Sequence, residues 1–198
     1  MRKGLHKTYR KGQQYPNICQ VILAFLLLLL PACHRDKTHS MLSDLEKMQN
    51  QPDSVLSSLQ QIDTTQLNVG DKALYIYLYY TSLALQNKLP ESNTSLEKAR
   101  VYFEAQNDSS KLCRIYYLKG KINHQHYYLI KAQDDYETAI QYITPETDYR
   151  LLIDLKISMS NLYHFYRIYD REEQLLEQAC QLAIQHKDSK LITRLCLL

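Results

Sequence analysis

The apolar residues of this chain follow two regimes. From Val21 to Leu30 they run unbroken, and from Met41 onward they recur at helical spacing. Met41, Leu45 and Met48 stand at i, i+4 and i+7, and after Pro52, well placed in a first helical turn, Val55, Leu59 and Ile62 repeat the interval. Two short amphipathic helices forming a hairpin are predicted there. Asn68-Val69-Gly70-Asp71 breaks the pattern, and the next helix carries Leu74, Leu78, Thr81 and Leu85 on one face until Lys88-Leu89-Pro90 ends it. Ser92 to Gln106 reads as its partner, with Leu96, Ala99 and Phe103 in register and Asn107-Asp108 closing it. The hairpin pattern has by then occurred twice.

The clearest hairpin spans Cys113 to Pro145. Tyr116, Gly120 and Asn123 lie on its first helix, and Ala132, Tyr136 and Ala139 share one face of the second at i, i+4 and i+7. Gly120 and the two alanines allow a close helix approach, with Tyr136 wedged between the helices. In these features the chain resembles the tetratricopeptide repeat: a small residue inside the first helix, the stretch from Lys131 to Ala139 in the second, and Pro145 just after it. Leu162, Tyr163 and Tyr166, followed by Leu175, Ala179 and Leu182, look like a degenerate copy. The step from Gly120 to Tyr163 is longer than the usual repeat of ~34 residues, so an insertion is expected around Thr144 to Tyr149. The resemblance implies an all-α fold, an α-solenoid of helical hairpins over residues 41–198. Asp108-Ser109-Ser110-Lys111-Leu112 opens one repeat, and Asp188-Ser189-Lys190-Leu191 recurs near the end. A further repeat that stops after half a hairpin would leave Leu191, Ile192, Leu195, Leu197 and Leu198 without a partner helix. The chain is then a fragment, or its last helix docks elsewhere.

The unbroken apolar run has a different meaning. A basic head precedes it and Leu30-Pro31-Ala32-Cys33 follows it, the order of a secretory signal, and the run is shorter than the ~20 residues that span a bilayer. The segment resembles the bacterial lipobox, which implies that Cys33 carries lipid after cleavage. Residues 1–33 are accordingly read as signal peptide and lipobox, and 34–40, polar and unpatterned, as a tether. Together with the irregular repeats and Pro52-Asp53-Ser54 in a short first hairpin, this is similar to tetratricopeptide lipoproteins of Gram-negative bacteria. The implied location is the cell envelope, lipid-anchored, facing the periplasm or on the outer-membrane surface.

Composition agrees with a helical body. Only 4 Gly and 5 Pro occur, too few for the frequent reversals of an all-β fold, and 45% hydrophobic content supports a continuous core. The net charge of +3 is local: Arg2, Lys3, Lys7, Arg10 and Lys11 lie in the head, and without them 19 basic residues face 21 acidic ones. A nucleic-acid partner is therefore not expected. Of the cysteines, Cys19 leaves with the signal and Cys33 takes lipid. Cys113, Cys180 and Cys196 remain, an odd number at irregular spacing and so no disulfide framework; they read as small buried apolar groups.

No catalytic pattern stands in its proper context. His124-Gln125-His126 cannot share a metal, because i and i+2 on a helix point to nearly opposite sides. Ser95-Leu96-Glu97-Lys98 matches a serine–lysine spacing without its accompanying motifs. No phosphate loop, nucleophile elbow or zinc-type cysteine pair is present. An enzyme, a cofactor and a metal are thus not expected.

What remains is binding. The chain has 17 tyrosines and no tryptophan, and tyrosine offers apolar area with a polar tip, suited to hairpin packing and to an interface alike. In a stack of hairpins the first helices line the concave side, and packing of Gly120 fixes the register. Arg114, Tyr117, Lys121 and His124 then face the groove, joined by Ser160, His164 and Arg167 from the next hairpin and Tyr77 and Tyr80 from the preceding one. Cations beside aromatic area suit an acidic protein or peptide. The expected function is a membrane-anchored scaffold or adaptor for protein–protein interaction. The alternative is the sensory part of a membrane regulator with its C-terminal domains missing.

Overall fold

A computed structural model describes residues 37–195. The described residues from His39 onward form one compact unit. Cys19, Cys33, Cys196, Leu197 and Leu198, with the apolar run and the lipobox, lie outside the described residues.

Every regular element among the described residues is an α-helix, as the spacing of apolar residues predicts. Residues 37–47 form α1, followed by α2 (Pro52–Leu59), α3 (Val69–Leu85), α4 (Thr94–Ala105) and α5 (Ser109–Gln125). After these come α6 (Leu129–Ile140), α7 (Pro145–Phe165), α8 (Tyr169–Gln185) and α9 (Ser189–Leu195). Helices adjacent in sequence pack together from α2 to α9, and α5 also touches α3 and α7. Helix begins by residue 37, so the second half of the segment read as a tether is structured instead. Its anchor point is His39, whose Nδ1 lies 2.6 Å from the carboxylate of buried Asp71 in α3.

Burial explains the order of packing. One cluster joins Leu42 and Leu45 of α1, Val55 and Leu59 of α2, Leu78 of α3, Phe103 of α4, and Ile115, Leu118 and Ile122 of α5. A second gathers Cys113 and Tyr117 from another side of α5 with Ala132, Tyr136 and Ala139 of α6 and Leu151, Leu155, Met159 and Leu162 of α7. Helix α5 therefore serves two cores and is the central element. Gly120 sits where α5 meets α6. A Cβ there would lie well inside van der Waals contact with Cδ1 and Cε1 of Tyr136, so the crossing leaves no room for any side chain.

The helices begin and end by a recurring device. Asn68, Asp108, Asp148 and Asp188 fall at intervals of 40 (68, 108, 148, 188), and each side chain accepts the backbone N–H three residues on, at 2.9–3.2 Å. Left-handed residues close five helices at Asn87, Asn107, Tyr127, Arg167 and Lys187. Each is followed by a residue whose N–H returns to a carbonyl five back, as in Tyr128 to Asn123 at 2.9 Å. Ala99, Ala139 and Ala179, again 40 apart, are each fully buried.

This constant interval overturns the expected insertion. Pro145 to Thr147 forms a first turn, the Thr147 hydroxyl accepting from Thr144 N–H at 3.0 Å, and the backbone leaves helical geometry at Asp148 (φ −157°). Asp148 then caps the long part of α7 on schedule. Two other expectations fail as well. Leu85, placed on the buried face of α3, is 53% exposed at the helix end. Leu191, Ile192 and Leu195, expected to lack a partner, pack against Ile153, Ala179 and Ala183 through contact of α9 with α8.

Candidate functional site

Helix α5 carries the candidate residues along one stripe, started by its Asp108 cap and followed at helical spacing. Arg114 is not free for a partner, since its guanidinium donates to Asp148 Oδ2 at 2.8 Å and so ties α5 to the cap of α7. One and two turns further, Tyr117 and Lys121 open onto a cavity of about 410 Å³ between α5 and α7, with Tyr136 of α6 at its base. The Lys121 ammonium lies 5.7 Å from the centroid of the Tyr117 ring. The ring of Tyr117 is 6.2 Å from that of Tyr136, and Tyr136 meets the His124 imidazole edge to face at 6.4 Å. Ile157, Ser158 and Asn161 form the α7 wall. Arg194 of α9 also lines the cavity and donates to Asp154 at 2.6 Å.

Most other well-covered cations are compensated: Arg100 by Glu97 and Glu104, Lys111 by Glu46 and Asp108, and Lys119 by Glu97 and Asp135. Lys156 of α7, also half-buried, instead donates to the neutral amide oxygen of Gln178 at 2.7 Å. Lys121 is half-buried, and no carboxylate among the described residues lies within ion-pairing distance of its ammonium. Burial pushes its pKa below the usual lysine value, an effect opposed by Asp154 and reinforced by Arg194. The imidazole of His124 is likewise pushed down, first by burial and then by Lys121. Burial drives the hydroxyls of Tyr117 and Tyr136 well above the ordinary phenol range. The cavity therefore presents an uncompensated cation and a neutral imidazole over two protonated phenols.

A second cavity of about 640 Å³ lies between α4, α5 and α6, and its lining is acidic, with Glu91, Glu97, Asp134 and Asp135 against Lys119 and Lys131. Buried Asp135 accepts from Asn123 Nδ2 at 2.7 Å and faces Lys119 at 3.5 Å, while Lys119 donates to Glu97 at 3.2 Å. At the C-terminal ends of α5 and α7, exposed aromatic rings gather, with Tyr127 6.2 Å from Phe165. Among the described residues no three His, Cys, Asp or Glu converge to hold a metal ion.

Of the residues expected to line a groove, the structure brings together Tyr117, Lys121 and His124. The others lie elsewhere. Tyr77 and Tyr80 are buried because α3 is covered by α2, α4 and α5: Tyr77 packs edge-on against Phe103, and the Tyr80 hydroxyl donates to Ser92 O at 3.0 Å. Ser160 is buried, its hydroxyl donating to Ile157 O. His164 is exposed and held by Glu172 at 3.0 Å, and Arg167 is exposed at the left-handed turn after α7. The cause is register. At the 40-residue interval, Gly120 corresponds to Ser160, and Arg114, Tyr117 and Lys121 correspond to Asp154, Ile157 and Asn161. The recurring capping residue was the signal for these missed positions. Compared with known proteins, the chain matches no protein-family model, no curated protein and no solved structure.

Proposed function

We propose that this chain is a lipid-anchored adaptor, a short α-solenoid of tetratricopeptide type that holds an acidic segment of another protein in the groove between α5 and α7. The observation that carries the reading is the uncompensated, half-buried Lys121 beside Tyr117. A covered cation without a counter-ion is unfavourable in the free protein, and an incoming carboxylate relieves that cost. Aromatic area at the ends of the same two helices supplies apolar contact, and the charge steers the encounter. The contact of α5 with both α3 and α7 is what a solenoid requires of alternate helices. The 40-residue interval exceeds the ~34 residues of a tetratricopeptide repeat, so the assignment rests on hairpin construction and not on repeat length. The lipobox motif supports display on the cell envelope.

Binding of the full-length chain, in mild detergent, to arrays of acidic, neutral and basic peptides tests this function. Acidic peptides are expected to bind, with affinity that falls at high salt and is lost in Lys121→Glu, while circular dichroism shows unchanged helicity. Arg114 is unsuited to the test because its loss would also disturb the α7 cap. Affinity equal for the variant and the parent, or insensitive to salt, sinks the groove. Metabolic labelling with a fatty acid should mark the parent and not Cys33→Ser; equal labelling removes the anchor.

A further inference from the structure

We infer that the α5–α7 pocket takes one carboxylate between Lys121 and His124, and that His124 acquires a proton as the carboxylate binds. The inference rests on the adaptor reading and specifies both the ligand chemistry and its control by pH.

The chemistry of the lining selects where an anion sits. Asp154, whose charge reaches Lys121, is bonded to Arg194 at 2.6 Å, so that pair is already neutral. Lys121 and, one turn later on α5, His124, both half-buried, are the remaining basic groups of the lining, with Ser158 and Asn161 of α7 as neutral polar groups. A carboxylate seated there satisfies the ammonium with one oxygen and presents the other to the imidazole.

The empty pocket and the filled one hold protons differently. In the empty pocket His124 is half covered and beside a second cation, so both burial and charge oppose protonation. A carboxylate cancels the charge of Lys121 and adds its own attraction, so the imidazole is protonated on binding at a pH where it was neutral before. No other group facing the pocket is placed to do this. Tyr117 of α5 and Tyr136 of α6 are held protonated by burial, Lys121 is already cationic, and Asp154 of α7 and Arg194 of α9 are committed to each other. Proton uptake by one group means that binding tightens as pH falls through the interval between the two imidazole pKa values.

Two fluorescein-labelled peptides separate the possible sources of the carboxylate. One carries a single glutamate and an amidated C-terminus; the other has glutamine in its place and a free C-terminal acid. A third with neither is the control. With the full-length chain in detergent, fluorescence anisotropy at pH 5.5 and pH 7.5 should show at least one acidic peptide binding about tenfold tighter at the lower pH, the gain reached when binding raises the imidazole pKa by about one unit. Binding of only the free-acid peptide would assign the pocket to a chain terminus; binding of both would assign it to any carboxylate. Lys121→Met should lose binding at both pH values, Lys121→Arg should keep it, and His124→Gln should bind with an affinity that no longer changes with pH. Calorimetry in two buffers of different ionisation enthalpy should record proton uptake for the parent and none for His124→Gln. Pocket binding that depends on Lys121 but is flat with pH, or equally pH-dependent in His124→Gln, overturns the inference and leaves the adaptor reading intact. Acidic-peptide binding indifferent to Lys121→Met overturns both.

Discussion

Five residues adopt φ between 52° and 59°, but only Asn87 and Asn107 are of a type that accepts it readily; Tyr127, Arg167 and Lys187 are not. The left-handed conformation costs an ordinary L-residue about 1–2 kcal/mol, of which a glycine would recover most, less about 0.5–1 kcal/mol of extra chain entropy. Arg167 is exposed, so Arg167→Gly is expected to stabilise the fold by about 0.5–1 kcal/mol. Urea denaturation of the variant checks this, and a loss of stability would mean that the guanidinium holds the α7–α8 turn. Cys113 gives a second test at the level of one atom. Burial pushes its thiol up to about 12, with Arg114 opposing and Asp148 reinforcing the shift, so almost no thiolate forms at pH 8. Maleimide treatment followed by peptide mapping should leave Cys113 unmodified until urea is added, whereas half-buried Cys180 reacts earlier. Rapid native labelling of Cys113 would contradict the packing of α5 on α7.

Helix starts have a common design, and Asp148 has two duties within it. It caps Leu151 N–H at 3.0 Å and pairs with Arg114 across the α5–α7 contact at 2.8 Å. Loss of such a cap costs about 0.5–2 kcal/mol. Asp148→Ala should therefore lower stability by about 1–2 kcal/mol, and Asp148→Asn, which keeps a cap oxygen but weakens the ion pair, by less. Chemical denaturation of the pair orders the two duties, and equal losses would show that the cap contributes nothing. These elements also show how far the sequence was legible. The helices and their buried faces follow from apolar spacing, because Leu96, Ala99 and Phe103 or Ala132, Tyr136 and Ala139 can share a face in only one local geometry. The candidate site was half legible: Tyr117, Lys121 and His124 follow from one helix, but their opposite wall depends on the register between hairpins. An apparent likeness between Gly120 and Tyr163 set that register three residues away from the one marked by Asp108, Asp148 and Asp188. A local error of that size carries Ser160 from the groove to the core, since three residues are nearly a full helical turn and bring a different set of neighbours into view. The burial of Tyr77 and Tyr80 was hidden for another reason: tyrosine suits core and surface equally, and only the contact of α3 with three helices decides between them.

Burial is uneven from one end of the described body to the other. Helix α5 contributes to two apolar clusters, whereas α9 has no buried residue and α8 has only Ala179 and Ala183. In a fold whose helices touch mainly their neighbours, local opening follows the stability of each neighbouring contact, and the opening free energies range from near zero to the global value. Exchange of backbone hydrogens should therefore be graded along the chain: fastest in α9, intermediate in α8, slowest in the middle of α5 around Ile115 to Ile122. Arg194 gives this gradient a functional edge, because it holds Asp154 from the least buried helix. When α9 opens, Arg194 leaves the lining of the α5–α7 cavity and Asp154 becomes an unpaired carboxylate near Lys121. The Arg194→Ala variant should then bind an acidic peptide more weakly than the parent. Its α9 amides should exchange faster while those of α5 stay as slow as in the parent. Hydrogen exchange followed by mass spectrometry, with peptide anisotropy on the same samples, measures both. Uniform exchange from α3 to α9 would show that the body opens as a single cooperative unit. Unchanged affinity in Arg194→Ala would show that Asp154 does not reach the ligand.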